Sequence, residues 1–216
     1  MDTKGIDLTA IPQTAIKVLT SPSAFFREMP KTGGYVEPLV FVLAMGVVSG
    51  LMRMVLGILG LSLTSLVWGI ASVVVIPIFI AIFGFVGAAI MYIIWKAIGS
   101  QENYETAYRC MAYISVITPI TTALSLFPII GSIAGIAIST FFIVTASVET
   151  HGINSKKAWT VFGIIGAIIA LTSLSSQFAA RRAVENATLF RQSIEKSSEL
   201  MKKQAEEMQK QMQKAK

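Results

Sequence analysis

The chain has 216 residues, of which 54% are hydrophobic and only 14% charged, with a net charge of +6 and a mean hydropathy of +0.68. Soluble domains carry about 25% charge, so this composition excludes an ordinary water-soluble globule and leaves a helical membrane protein. No ionisable side chain other than tyrosine interrupts Met54 to Trp95, a window longer than the about 20 residues that one crossing needs. Arg181 to Lys216, by contrast, holds nine basic and five acidic residues and reads as a segment that lives in water. The single thiol, Cys110, cannot form an intramolecular disulfide and has no neighbours from which to build a zinc or CxxC site.

Residues 1–34 lack the apolar core of a secretory signal, so the N-terminal segment is expected to be retained. Ile11, Ala15, Ile16, Val18 and Leu19 form an imperfect helical stripe. Ser21-Pro22 then caps and opens a short helix that Pro30 stops. Phe25 and Phe26 on that helix are candidate interfacial anchors, sinking into the acyl boundary while Lys17, Arg27 and Lys31 face headgroups; packing against the bundle is the alternative. Beyond Gly33-Gly34, five apolar stretches follow, at about Pro38–Gly60, Leu66–Trp95, Met111–Phe127, Ile129–Val148 and Ala158–Phe178. The second is long enough that it must tilt, protrude or kink near Pro77.

The third stretch is expected to kink at Pro119, with Thr121 and Thr122 supplying hydroxyls to the carbonyl that the proline leaves without a donor. The third and fourth are joined only through Phe127-Pro128, a tight hairpin. Gly46-xxx-Gly50 and Gly131-xxx-Gly135 have the spacing of close helix contacts, to which Gly57, Gly60, Gly84, Gly87, Gly163 and Gly166 add further points.

Arg53, in the first stretch, and Glu149, ending the fourth, are the charges nearest the hydrocarbon. Intramembrane charge is a functional hypothesis by default. Arg53 can snorkel to the interface, pair with Glu149 or helix carbonyls, or line a solute path. Glu149 and His151 read as solvated interfacial groups at a helix end, with a proton relay as the alternative. Lys4, Lys17, Arg27, Lys31, Lys96, Arg109, Lys156 and Lys157 fall on the N-terminal side of a five-span arrangement, against no basic residue in the two opposing short loops, which places the N-terminus inside. Arg181 and Arg182 directly follow the fifth stretch and oppose that count, so either the tail is external or one stretch is re-entrant.

From Ala179 the chain reads as a long helix without Pro or Gly, with Glu199/Lys203 and Glu206/Lys210 at i,i+4. Ile194, Met201, Met208 and Ala215 recur every seven residues, with Val184, Ser198, Ala205 and Met212 at the complementary positions and Arg191 intruding among them, an imperfect heptad. This helix is either solvated or a surface for self-association, a protein partner or anionic lipid. Interleaved acids and the lack of aromatic interleaving argue against nucleic acid. GxSxG, Walker, HExxH and GxGxxG motifs are all missing from the sequence and there is one histidine, so neither catalysis nor a cofactor or metal is expected.

The expected fold is therefore all-α, a polytopic membrane helix bundle with five transmembrane helices, an N-terminal interfacial amphipathic helix and a long charged C-terminal helix. It divides into an N-terminal segment (1–37), a membrane domain (38–178) and a tail (179–216). Three blocks carry a resemblance. Leu19-Thr20-Ser21-Pro22-Ser23-Ala24-Phe25-Phe26 leads through Gly33-Gly34 to Glu37-Pro38-Leu39. Tyr104-Glu105-Thr106-Ala107-Tyr108-Arg109-Cys110-Met111-Ala112-Tyr113 closes on Pro119, and Pro128-Ile129-Ile130-Gly131 leads to His151-Gly152-Ile153-Asn154 and Lys157-Ala158. In this order they resemble the Yip1-domain family of five-span membrane proteins, and the short N-terminal segment looks like its prokaryotic branch.

The resemblance implies a non-enzymatic, multi-pass protein of a bacterial or archaeal cell membrane with a cytoplasmic N-terminal segment. Eukaryotic members are linked to vesicle trafficking and prenylated GTPases, a role that does not carry over to this branch. No catalytic or ligand residues transfer with the match, and nothing it implies extends past Phe178. Membrane lipids are the expected partners, and a membrane scaffold that recruits proteins is the expected function, with a solute transporter or channel component as the alternative.

Overall fold

A computed structural model describes residues 9–59 and 63–214. Those residues are mostly helical, without a strand. Lys4, Gly60 and Ala215 lie outside the described residues, as do the side chains of Lys203, Ala205, Glu206, Met208, Lys210 and Met212. The helices are α1 (Ala10–Thr20), α2 (Pro22–Glu28), α3 (Val36–Leu59), α4 (Leu63–Ala97), α5 (Tyr104–Ile114), α6 (Thr118–Leu124), α7 (Pro128–Glu149) and α8 (Ser155–Lys214), with a 3-10 turn at Ser115–Ile117 between α5 and α6. Four are long and apolar enough to cross a bilayer, over Val36–Leu59, Val67–Ala97, Pro128–Glu149 and Ser155–Lys202. The chain is thus a multi-pass membrane helix bundle. It divides into two compact units, Met1–Ala170 and Leu171–Lys216. In the second, Val184, Leu189, Phe190, Ile194 and Met201 are all more than half exposed.

The third apolar stretch is not one of those four helices: where the sequence predicts one kinked helix, the chain is broken into α5, the 3-10 turn and α6. Pro119 has no N–H, so the carbonyl of Ser115 four residues earlier loses its helical donor. The backbone tightens to a 3-10 turn at Ser115–Ile117. The hydroxyl that satisfies the Ser115 carbonyl is that of Thr118, at 2.8 Å, and not those of Thr121 and Thr122, which donate to the Thr118 carbonyl instead. Ser49 Oγ of α3 lies 3.0 Å from Thr118 Oγ1 and ties the break to its neighbour. The broken segment starts beside the first turn of α3, where Arg109 reaches Gly34 and Glu37. It ends beside the last turns of α3, where Ser125 and Leu126 share a cavity with Arg53, Leu56 and Gly57.

Without water to drive helices together, close approach of backbones supplies the packing. A methyl on Gly46 would sit 2.7 Å from Pro77 Cα, and one on Gly50 equally close to Ser72 O and Val73 Cα. Pro77 is thus buried against α3 inside a helix that runs its full 35 residues, about 52 Å at about 1.5 Å per residue. Ser72 Oγ bridges to the Gly50 carbonyl at 3.2 Å. In the hairpin a methyl on Gly131 would collide with the Leu124 carbonyl, and Gly135 faces Thr121. A methyl added at Gly84, Gly87 or Gly163 would meet no neighbouring element within 4 Å among the described residues, so only some of the glycines serve close helix contacts there.

Phe25 and Phe26 pack into the bundle, the alternative to a membrane-facing position. Phe26 is fully buried and Phe25 nearly so, the latter edge-on to Tyr113 at 5.0 Å between centroids. The stop at Pro30 explains their direction. Met29, preceding a proline, is extended at φ −58°, ψ 130°, so α2 ends after seven residues and turns its aromatic face onto α7 and α5.

Candidate functional site at the polar end of the bundle

Three loops and the first turn of α5 meet at the end of the bundle where α3 begins. Gly33-Gly34 has positive φ at both residues, 128° and 83°, a conformation that only glycine adopts freely. There the Gly34 N–H donates to Glu105 Oε1 at 2.6 Å, while its carbonyl accepts from Arg109 Nη1 at 2.9 Å. Arg109 is 1% exposed and its Nη2 reaches Glu37 Oε2 at 3.1 Å. Its Nε has no partner among the described residues. Asn103 caps α5 by accepting from the Thr106 N–H at 2.9 Å, and Thr106 Oγ1 donates to the Lys31 carbonyl at 3.1 Å. Lys31 Nζ and Glu102 Oε1 pair at 2.7 Å.

The far end of α7 reaches the same junction. Gly152, at φ +65°, lets the Ile153 N–H fold back to the Ser147 carbonyl six residues earlier, at 3.0 Å, in a helix-ending turn. That turn swings His151 inward, where its ring stacks on Trp95 with centroids 4.0 Å apart. Ser100 Oγ accepts from the Glu102 N–H at 3.2 Å and lies within hydrogen-bond distance, 2.7 Å, of His151 Nδ1. Nε2 is buried with no partner among the described residues. Burial pushes the imidazole down from its ordinary 6.5 to about 4; Glu102 opposes that shift, and Lys31 and Lys96 add to it. Trp95 Nε1 donates to Ser147 Oγ at 2.7 Å, and Thr150 Oγ1 donates to the Phe26 carbonyl at 2.7 Å.

His151 is thus 6% exposed, and the expectation of a solvated imidazole fails because the glycine turn buries it. Glu149 pairs with Arg27 at 2.8 Å, its side chain 17% exposed. Arg53 lies at the opposite end of α3, exposed, so an Arg53–Glu149 pair is not made. Sequence reasoning weighed Arg109 only as a topology charge and passed over Trp95, Ser100, Thr106 and Thr150. The signal that could have found them is the Asn103 cap directly before the Tyr104–Tyr113 block. Among the described residues no group of three or more His, Cys, Asp or Glu could hold a metal ion. Chemically, this junction clamps backbone: Arg109, Thr106 and Thr150 each grip a carbonyl of the N-terminal segment.

The model of the Yip1 domain matches residues 16–176, which span α1 to the apolar part of α8 and include every residue of this junction. No curated protein and no solved structure matches the chain. With the family's domain covering most of its length, the chain belongs to the Yip1-domain family of membrane proteins.

Proposed function

We propose that the protein is a non-enzymatic membrane organiser that presents a rigid N-terminal helical platform on one face of the cell membrane and recruits proteins through its charged helical tail. The observation that carries this reading is the use of the polar groups at the junction. Arg109, Thr106 and Thr150 direct their donors at the carbonyls of Gly34, Lys31 and Phe26, so the polar chemistry holds α1 and α2 onto the bundle. Exposed apolar side chains on the tail, including Leu189, Phe190 and Ile194, supply a surface on which a partner helix can pack. Purification of the full chain and of a chain ending at Phe178, after cross-linking in intact cells, tests the role. Partners present with the full chain and lost with the shortened one, at equal membrane insertion, are expected; identical partner sets overturn it.

The same reading takes Tyr104–Leu124 as a fifth, broken crossing, because its two ends lie beside opposite ends of α3. The tail is then on the side opposite the N-terminus. A unique cysteine in place of Lys203, in a Cys110→Ala background, is expected to react with an impermeant maleimide in intact spheroplasts. Reaction only after lysis makes the number of crossings even and overturns the fifth crossing.

A further inference from the structure

Away from the polar junction, the bundle contains a cavity of about 280 Å³ lined by Arg53, Leu56, Gly57, Trp68, Gly69, Ser125 and Leu126. It lies between the last turns of α3, the first turns of α4 and the α6–α7 hairpin. We propose that this cleft binds the headgroup of an anionic phospholipid, with Arg53 pairing to its phosphate.

Charge is the first argument. Arg53 is exposed and makes no hydrogen bond or ion pair among the described residues. The sequence offers it no acid: between Arg53 and Glu102 there is no Asp or Glu, and residues 118–135, which form the hairpin and its flanks, contain none either. A cation at membrane depth without a carboxylate from its own chain draws its counter-charge from outside. Depth is the second argument. Arg53 stands six residues before the end of α3, about 9 Å at about 1.5 Å per residue, and Trp68 stands five residues into α4. Arginine and tryptophan at such positions sit at headgroup level. Shape is the third. The volume fits a headgroup and not a whole lipid, Ser125 offers a hydroxyl, and Leu56, Leu126 and the 70% exposed Trp68 provide an apolar wall for the upper acyl chains. Close backbone contact of Gly69 with Met54, whose Cα would be 3.1 Å from an added methyl, fixes the floor.

Trp68 reports on the site directly. In a Trp159→Phe background the remaining indole besides Trp68 is Trp95, which is fully buried against His151. The protein is reconstituted in phosphatidylcholine vesicles containing a minor fraction of either brominated phosphatidylglycerol or brominated phosphatidylcholine. Quenching of Trp68 by the anionic lipid is expected to exceed that by the zwitterionic one by about fivefold, the enrichment one surface cation supports. Arg53→Gln is expected to equalise the two and Arg53→Lys to keep most of the difference. Equal quenching in the parent chain overturns the proposal, as does a preference that survives in Arg53→Gln, which would then stem from basic residues elsewhere. Loss of the preference on adding inorganic phosphate identifies a soluble phosphate as the occupant and also overturns it.

Discussion

At the end of the bundle that holds Arg109, segments far apart in sequence are joined by side chains that grip backbone, Arg109 to Gly34 and Thr150 to Phe26, and by the Arg27–Glu149 ion pair. At the end that holds Arg53, the elements meet through the Leu124–Gly131 approach and the Gly69–Met54 contact, with a cavity between them. The first is held by directional polar bonds and the second by the absence of side chains. A junction of the first kind has one geometry, because each donor must find its own carbonyl. Packing of the second kind leaves room for an amphiphile to complete it.

The largest expected effect falls on the polar end. Arg109→Ala leaves the Gly34 carbonyl without its donor and a gap where the arginine stem packed, and should cost about 3 kcal/mol in thermal or denaturant unfolding. Arg109→Lys should recover only part of it, since a single ammonium cannot span Gly34 and Glu37 as the guanidinium fork does. Equal stability of parent and Arg109→Ala would show that the junction is not what holds the N-terminal segment down.

The other end predicts a smaller and more local loss. Gly131→Ala drives a methyl into the Leu124 backbone and should cost about 2 kcal/mol, whereas Gly84→Ala, with nothing within 4 Å, should be neutral or slightly stabilising. A hairpin that tolerates Gly131→Ala as readily as Gly84→Ala would remove the contrast between the two ends.

The smallest effect at neutral pH concerns His151. Its folded pKa, about 4, lies below the ordinary 6.5, so the unfolded chain takes up the proton first. Stability is therefore full above about pH 6.5 and falls as pH drops from there towards 4, by at most about 1.4 kcal/mol per pH unit. His151→Gln, which can still meet Ser100, should flatten the pH dependence over that window. An unchanged slope would show that the burial of His151 does not set the pH dependence.

Much of the fold is legible along the chain. The charge-free window from Met54 to Trp95, the prolines at 22, 30 and 128 and the Asn103 cap mark helices and their ends, because hydropathy and capping act over a few residues. The break at Pro119 is legible too, but not the hydroxyl that answers it. Thr118, Thr121 and Thr122 are equivalent in a string of letters, and only the 3-10 turn puts Thr118 within reach of Ser115. Likewise, an aromatic pair before Pro30 is an equally good anchor for lipid or for a bundle until α5 and α7 are present to receive it.

What the sequence determined by itself is that this is an all-helical, multi-pass membrane protein with a charged helical tail, since twenty apolar residues in a row have few other stable fates. Only the tertiary structure decided that Glu149 pairs with Arg27 and not Arg53, that a glycine turn buries His151 against Trp95, and that Arg109 is a clamp. Those outcomes depend on residues 51 to 122 positions apart meeting at one end of the bundle, and pairing across such distances is set by how the helices pack, not by local pattern.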